Sequence, residues 1–214
     1  MLTSFSILVL SFLLGMRHAT DADHVVAVTT IVSRQRSIPR AASIGALWGI
    51  GHTLTLLVIG GAMIVLELAM PPWLGLTLEL LVAVMLVVLG VINVVGGATS
   101  ERIVDSSARP VIVGTVHGMA GSAAFTLLAL PLIASPMLAA GYLVLFGIGT
   151  IAGMVVVTLA ISLPSLYATH RIDGARTVLR YAAGFASIGF GLYLAHHIGF
   201  VDGLFTGAPL WTPK

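Results

Sequence analysis

The sequence predicts an all-α, polytopic membrane protein with six transmembrane helices and no soluble domain. Three observations predict it. Of 214 residues, 58% are hydrophobic and only 8% are charged. Mean hydropathy is +1.09, which no ordinary water-soluble domain reaches. The few charges fall in short clusters between long apolar runs, the pattern of a chain that threads a bilayer repeatedly. A span takes roughly 20 apolar residues, so the length accommodates about six spans. Residues 1–214 are therefore read as a single transmembrane domain.

Six apolar segments follow in order: 3–32, 42–69, 75–96, 110–133, 138–163 and 177–199. The first resembles a signal-peptide core, yet it has no Lys or Arg before Arg17 and no small-residue cleavage site, so it is read as a span. Its apolar part before Arg17 is too short to cross alone, which places the polar residues that follow inside the membrane. Pro71-Pro72, Pro136 and Pro164 are read as marking the connections. Arg34, Arg36 and Arg40 fall between the first two spans, Arg102 and Arg109 between the third and fourth, and Arg171, Arg176 and Arg180 between the last two. These are alternate loops and hold eight of the ten basic residues. The positive-inside rule then predicts an inner-membrane protein with both termini on the non-cytoplasmic side.

A faint internal repeat runs through the chain. Trp48-Gly49-Ile50-Gly51-His52 matches Phe146-Gly147-Ile148-Gly149-Thr150 at an offset of 98. Gly15-Met16-Arg17-His18 matches Gly114-Thr115-Val116-His117 at 99, and Leu89-Gly90 matches Phe190-Gly191 at 101. Three spans per copy is odd, so the copies 1–97 and 98–214 would be inverted relative to one another, a common transporter plan.

The chemistry concentrates in Arg17-His18-Ala19-Thr20-Asp21-Ala22-Asp23-His24. Carboxylates within a membrane segment are costly and are usually functional. Counting at 1.5 Å per residue from Arg34, Arg40 and Arg109 puts His24, His52 and His117 roughly 15, 18 and 12 Å from the cytoplasmic ends. In a hydrocarbon core about 30 Å thick, these three histidines converge near mid-membrane. On one regular helix His18, Asp21 and His24 share a face about 120° wide and Asp23 points elsewhere. Either the first span is distorted there, or Asp23 orients a ligand imidazole rather than binding an ion itself. Arg17 is a candidate partner for one carboxylate.

Imidazole and carboxylate together suit a divalent transition ion such as Ni²⁺, Co²⁺ or Zn²⁺, whereas Mg²⁺ and Ca²⁺ favour oxygen ligands. His18, Asp21, Asp23, His24, His52 and His117 are the candidate metal residues. Lone histidines at 52 and 117 could equally be hydrogen-bonded packing residues. Glu67 and His170 are read as solvated, His196 and His197 as closing the last span, and Glu79 as favouring a helix N-terminus. Ser122 and Thr126 could add polar lining to the fourth span. The absence of cysteine excludes disulfides and thiolate metal sites. The pI near 9.4 reflects loop arginines and gives no indication of nucleic-acid binding. Neither HExxH nor GxxxxGK[ST] is present, so the sequence points away from an enzyme and an ATP-driven pump, and no prosthetic group is expected.

His18, four residues, then Asp23-His24 resembles the HX4DH signature of the nickel/cobalt transporter family, which lies on a transmembrane helix and is required for metal uptake. Gly51-His52-Thr53 resembles that family's Gly-His-Ser/Thr segment. Gly114-Thr115-Val116-His117-Gly118-Met119-Ala120-Gly121-Ser122 resembles a segment of its shorter, UreH-like urease-accessory branch. The better-known members have about eight spans and a later Phe-Asp-Thr step, and the efflux relatives have a His-rich loop; none of these is present here. The resemblance implies uptake of Ni²⁺, or of Co²⁺, as a transported ion. Two rivals keep the same site: a non-transporting membrane accessory or sensor serving urease or hydrogenase maturation, and a metal exporter.

Overall fold

The computed structural model describes residues 4–33, 35, 37–66, 70–96, 108–120 and 135–211. Among these there is no strand. The helices are α1 (Ser4–His18), α2 (Ala22–Val32), α3 (Ile38–Leu66), α4 (Pro72–Val95), α5 (Ala108–Gly118), α6 (Pro136–Arg171) and α7 (Ala175–His196), which runs on into a π-helical turn, His197–Val201. In lipid every backbone N–H and C=O must be satisfied within the chain, which selects helices. Ile38–Leu66, Pro72–Val95, Pro136–Thr169 and Ala175–Val201 are long and apolar enough to cross a membrane, whereas α1 and α2 are shorter apolar helices. Large apolar side chains stand outward on all four, among them Val58, Val88, Val156 and Phe185. A water-soluble surface of this character would aggregate; a lipid-facing one is at home.

Two sequence expectations are revised, and a third falls largely outside the described residues. The first apolar segment, 3–32, is two helices with a break at 19–21. Pro164 lies inside α6 rather than in a connection; without water to solvate an open backbone, a helix continues through proline more readily than in solution. The fourth segment is described only as far as Ala120, where α5 has already ended.

α1 packs along α6, α6 along α3, and α3 along α5, while α4 pairs with α7 and α2 lies between the two groups. The contacts are very close because glycines line them. A Cβ at Gly15 would overlap the carbonyl of Phe146, and one at Gly149 that of Phe12. Likewise Gly114 meets the Trp48 carbonyl and Gly51 that of Val111. In the other pair, a Cβ on Gly90 would lie 2.6 Å from the Gly184 oxygen and one on Gly191 2.8 Å from the Ala83 oxygen. Lipid supplies no hydrophobic drive between helices, so such close backbone contact is what holds them. Buried hydroxyls turn back on the backbone or across the contact: Thr53 Oγ1 donates to the Gly147 carbonyl at 3.1 Å and Ser187 Oγ to that of Leu86 at 2.7 Å.

Candidate metal centre

The centre is built where α1 stops. Ala19 N–H still reaches the Gly15 carbonyl at 3.3 Å, but Thr20 N–H bonds Arg17 O at 2.8 Å and Asp21 N–H bonds His18 O at 3.1 Å. The turn tightens and the α-helical ladder ends. Asp21 then starts α2 from an extended backbone (φ −61, ψ 147) without capping it through its side chain. Its carboxylate instead turns back, with Oδ2 2.8 Å from His18 Nδ1. Asp23 serves the first turn of α2, where a negative charge suits the orphan N–H groups: its Oδ1 accepts from the His24 backbone N–H at 2.9 Å and lies 3.1 Å from His24 Nδ1. Its other oxygen is 3.2 Å from His117 Nε2 on α5. On a continuous helix, six residues would separate His18 from His24 by about 9 Å of rise. The break instead brings their ring centroids to 4.7 Å.

Four imidazoles from α1, α2, α3 and α5 thus meet. His52 lies 5.1 Å from His18 and 5.4 Å from His24, and His117 lies 4.4 Å from His24, between centroids. His24, His52 and His117 are fully buried, and His18 is nearly so. Two groups each offer ligand atoms within 4.8 Å of one another: His18, His24 and His52; and Asp23, His24 and His117. His24 belongs to both. The carboxylates hold the Nδ1 atoms of His18 and His24, which leaves each Nε2 buried and without a hydrogen bond. Both ring nitrogens of His52, and His117 Nδ1, are buried and unbonded as well. Orphaned polar atoms in an apolar interior cost on the order of 1–3 kcal/mol each. Such a set, with carboxylates fixing the far side of the rings, is the arrangement that presents imidazole lone pairs to a metal ion.

All six sequence-predicted residues therefore come together. The ion-pair partners of the two carboxylates are His18, His24 and His117, and not Arg17. Glu79 is the eighth residue of α4, beyond its first turn, and accepts from Trp211 Nε1 at 3.1 Å. His197 Nδ1 lies 3.0 Å from Asp202 Oδ2. Glu67, Ser122 and Thr126, and the side chain of His170, lie outside the described residues. The sequence reading missed Trp48 and Phe146. The Trp48 ring is 5.5 Å from His117, and Phe146 is 5.5 Å from His18, so both wall the centre with apolar surface. Trp48 sits one helical turn before His52, and that spacing was the available signal.

Fold and centre together define an α-helical membrane protein with a buried imidazole–carboxylate cluster that could hold a metal ion. No family model matches the chain, and no solved structure does. The urease accessory protein UreH of Bacillus sp. (strain TB-90) is 31% identical over 217 residues, covering 94% of this chain and 95% of the relative. The chain belongs to the UreH family.

Proposed function

We propose that the protein carries a divalent transition-metal ion, Ni²⁺ in the first instance and otherwise Co²⁺, into the cell through the imidazole cluster. The observation that carries the proposal is the set of buried ring nitrogens on His18, His24 and His52 with no partner in the protein and within ligand distance of one another. His18, His24 and His52 hold the ion, Asp21 and Asp23 aim the rings, and His117 relays it through the second group. α1 and α5 both end at the cluster, at His18 and Gly118. Two helix C-termini bring partial negative charge to a buried cation, a device that broken-helix carriers use for coordinating ions. An inside-negative potential favours entry of a dication by about 4.6 kcal/mol per 100 mV, twice the single-charge value.

The carrier is read as six spans in two inverted copies, with both termini outside the cytoplasm and the arginine-bearing loops inside. Packing supports the repeat. Shifting by 98 or 99 turns the Gly15–Phe146 contact into Gly114–Trp48 and the Gly149–Phe12 contact into Gly51–Val111. Shifting by 98 exchanges Gly49–Ile151 with Gly147–Thr53, and by 101 exchanges Gly90–Gly184 with Gly191–Ala83. Inverted copies related by a two-fold axis predict such reciprocal contacts; chance glycines do not.

The relative's name favours a second reading, a membrane accessory that hands nickel to urease maturation without moving it across. Flux of Ni²⁺ into sealed proteoliposomes under an inside-negative potential decides between the two. Accumulation that His18→Ala and His24→Ala abolish, with insertion intact, supports the carrier. Stoichiometric binding without accumulation supports the accessory, and normal accumulation in both variants overturns the assignment of the cluster.

A further inference from the structure

A cavity of about 250 Å³ lies between the start of α2 and the α4–α7 pair, lined by Asp21, Ala22, Asp23, Glu79, Val82, Ala120, Phe190 and Leu194. Liquid water takes about 30 Å³ per molecule, so this space holds several waters. Among the described residues, its charged lining is three carboxylates. Asp23 faces two ways: it lines the cavity, and its oxygens reach His24 and His117. The cavity therefore abuts the centre through a residue that belongs to one of the two metal-competent groups. Glu79 stands further along α4, where Trp211 fixes one of its oxygens and packs its indole against Gly75. Glu79, Phe190 and Leu194 lie toward the membrane face that carries residues 202–211.

Toward the opposite face the same helices are closed. Asn93 Nδ2 donates to Ser33 Oγ at 3.2 Å and to the Arg180 carbonyl at 3.1 Å, tying α4 to the end of α2 and the start of α7. Val28, Ile31 and Val32 of α2 join Leu86 and Leu89 of α4 in one buried apolar cluster. At the offset of 101, Arg180 is the counterpart of Glu79. The closed face thus carries a guanidinium at the position that matches the carboxylate of the cavity.

We propose that this cavity is the path by which a hydrated divalent cation reaches the histidine cluster from the face that carries residues 202–211, and that Glu79 draws the cation in. The proposal rests on the carrier reading above. A cleft lined by one sign of charge concentrates counter-ions about tenfold or more. Asp21 and Asp23 then receive the ion beside the imidazoles, where it exchanges water for ring nitrogens.

The native chain has no cysteine, so single substitutions Ala22→Cys and Leu194→Cys in the full-length protein report access without background. Membrane-impermeant methanethiosulfonates, one cationic and one anionic, are applied to either side of oriented vesicles. Both positions are expected to react from the face bearing residues 202–211, the cationic reagent about tenfold faster, with NiCl₂ slowing the reaction. Adding Glu79→Gln is expected to remove most of the charge preference, while Glu79→Asp keeps it, an outcome that a merely structural Glu79 would not produce. Reaction only from the opposite face, equal rates for the two reagents, an unchanged preference in Glu79→Gln, or no reaction from either side overturns the proposal. Failure of the carrier reading is separable: the wild type would then bind Ni²⁺ without accumulating it in sealed proteoliposomes, whereas the charge preference at residue 194 tests the cavity regardless.

Discussion

Replacing Asp23 by asparagine should weaken metal binding more than replacing Asp21, although both are carboxylates in the same turn. Asp21 orients one ring, His18, through a single contact of 2.8 Å. Asp23 orients two, with contacts of 3.1 Å to His24 and 3.2 Å to His117, and also accepts from the His24 backbone N–H. Loss of a carboxylate that orients a ligand imidazole typically costs 10–100-fold in metal affinity, or about 1.4–2.7 kcal/mol. Asp21→Asn should lose about one such factor, and Asp23→Asn up to about two. His24→Ala removes the donor common to both groups and should abolish measurable binding. The assay is calorimetric titration of the detergent-purified protein with Ni²⁺, with thermal unfolding as a check on folding. Equal losses in the two asparagine variants, or wild-type affinity in His24→Ala, would refute the orienting role.

His117→Ala leaves His18, His24 and His52 in place, so one Ni²⁺ should still bind while uptake slows by roughly tenfold; unchanged uptake would reduce His117 to a packing residue. Binding should weaken as pH falls from about 7.5 to about 5.5, because protons compete for the imidazole nitrogens that the ion needs. Calorimetry at the two values checks the sign, since binding must release protons. Gly15→Leu and Gly149→Leu should lower the unfolding temperature, overpacking costing about 1–3 kcal/mol or more, because each side chain would enter a neighbouring carbonyl. Gly61→Ala and Gly189→Ala, where nothing lies within 4 Å, should be neutral or gain up to about 1 kcal/mol of helix propensity.

The centre was legible in the sequence because lipid makes charge expensive: four ionisable residues between positions 18 and 24 had no cheap explanation. Counting residues inward from the loop arginines was enough to put His24, His52 and His117 at one depth. A distortion of the first span was one of the two readings that the spacing allowed; its place at 19–21 was not legible, because Ala19-Thr20-Asp21 contains neither proline nor glycine. A local contact, Asp21 to His18, and a tertiary one, Ala19 buried where a Cβ on Gly153 would approach it to 2.7 Å, accompany the break. Pro164 misled in the opposite direction, since the rule that proline ends a helix assumes water is available to take up the freed carbonyl. Glu79 looked like a residue favouring a helix N-terminus because its partner, Trp211, lies 132 positions away.

The repeat proposed above would explain why the frame was more readable than the site. Glycines at matching positions pack backbone on backbone, and His18 matches His117 at the offset of 99. The acidic residues do not recur: at the same offset Asp21 meets Ala120, Asp23 meets Ser122 and His24 meets Ala123. Two-fold packing alone would give a carrier equivalent mouths on both faces and no preferred side from which to load. The acidic residues of the proposed first copy break that equivalence, because the positions matching Asp21, Asp23 and Glu79 hold Ala120, Ser122 and Arg180. On the carrier proposed above, the cation would be drawn in from the face that bears Glu79, and direction would reside in the residues that the proposed repeat does not share.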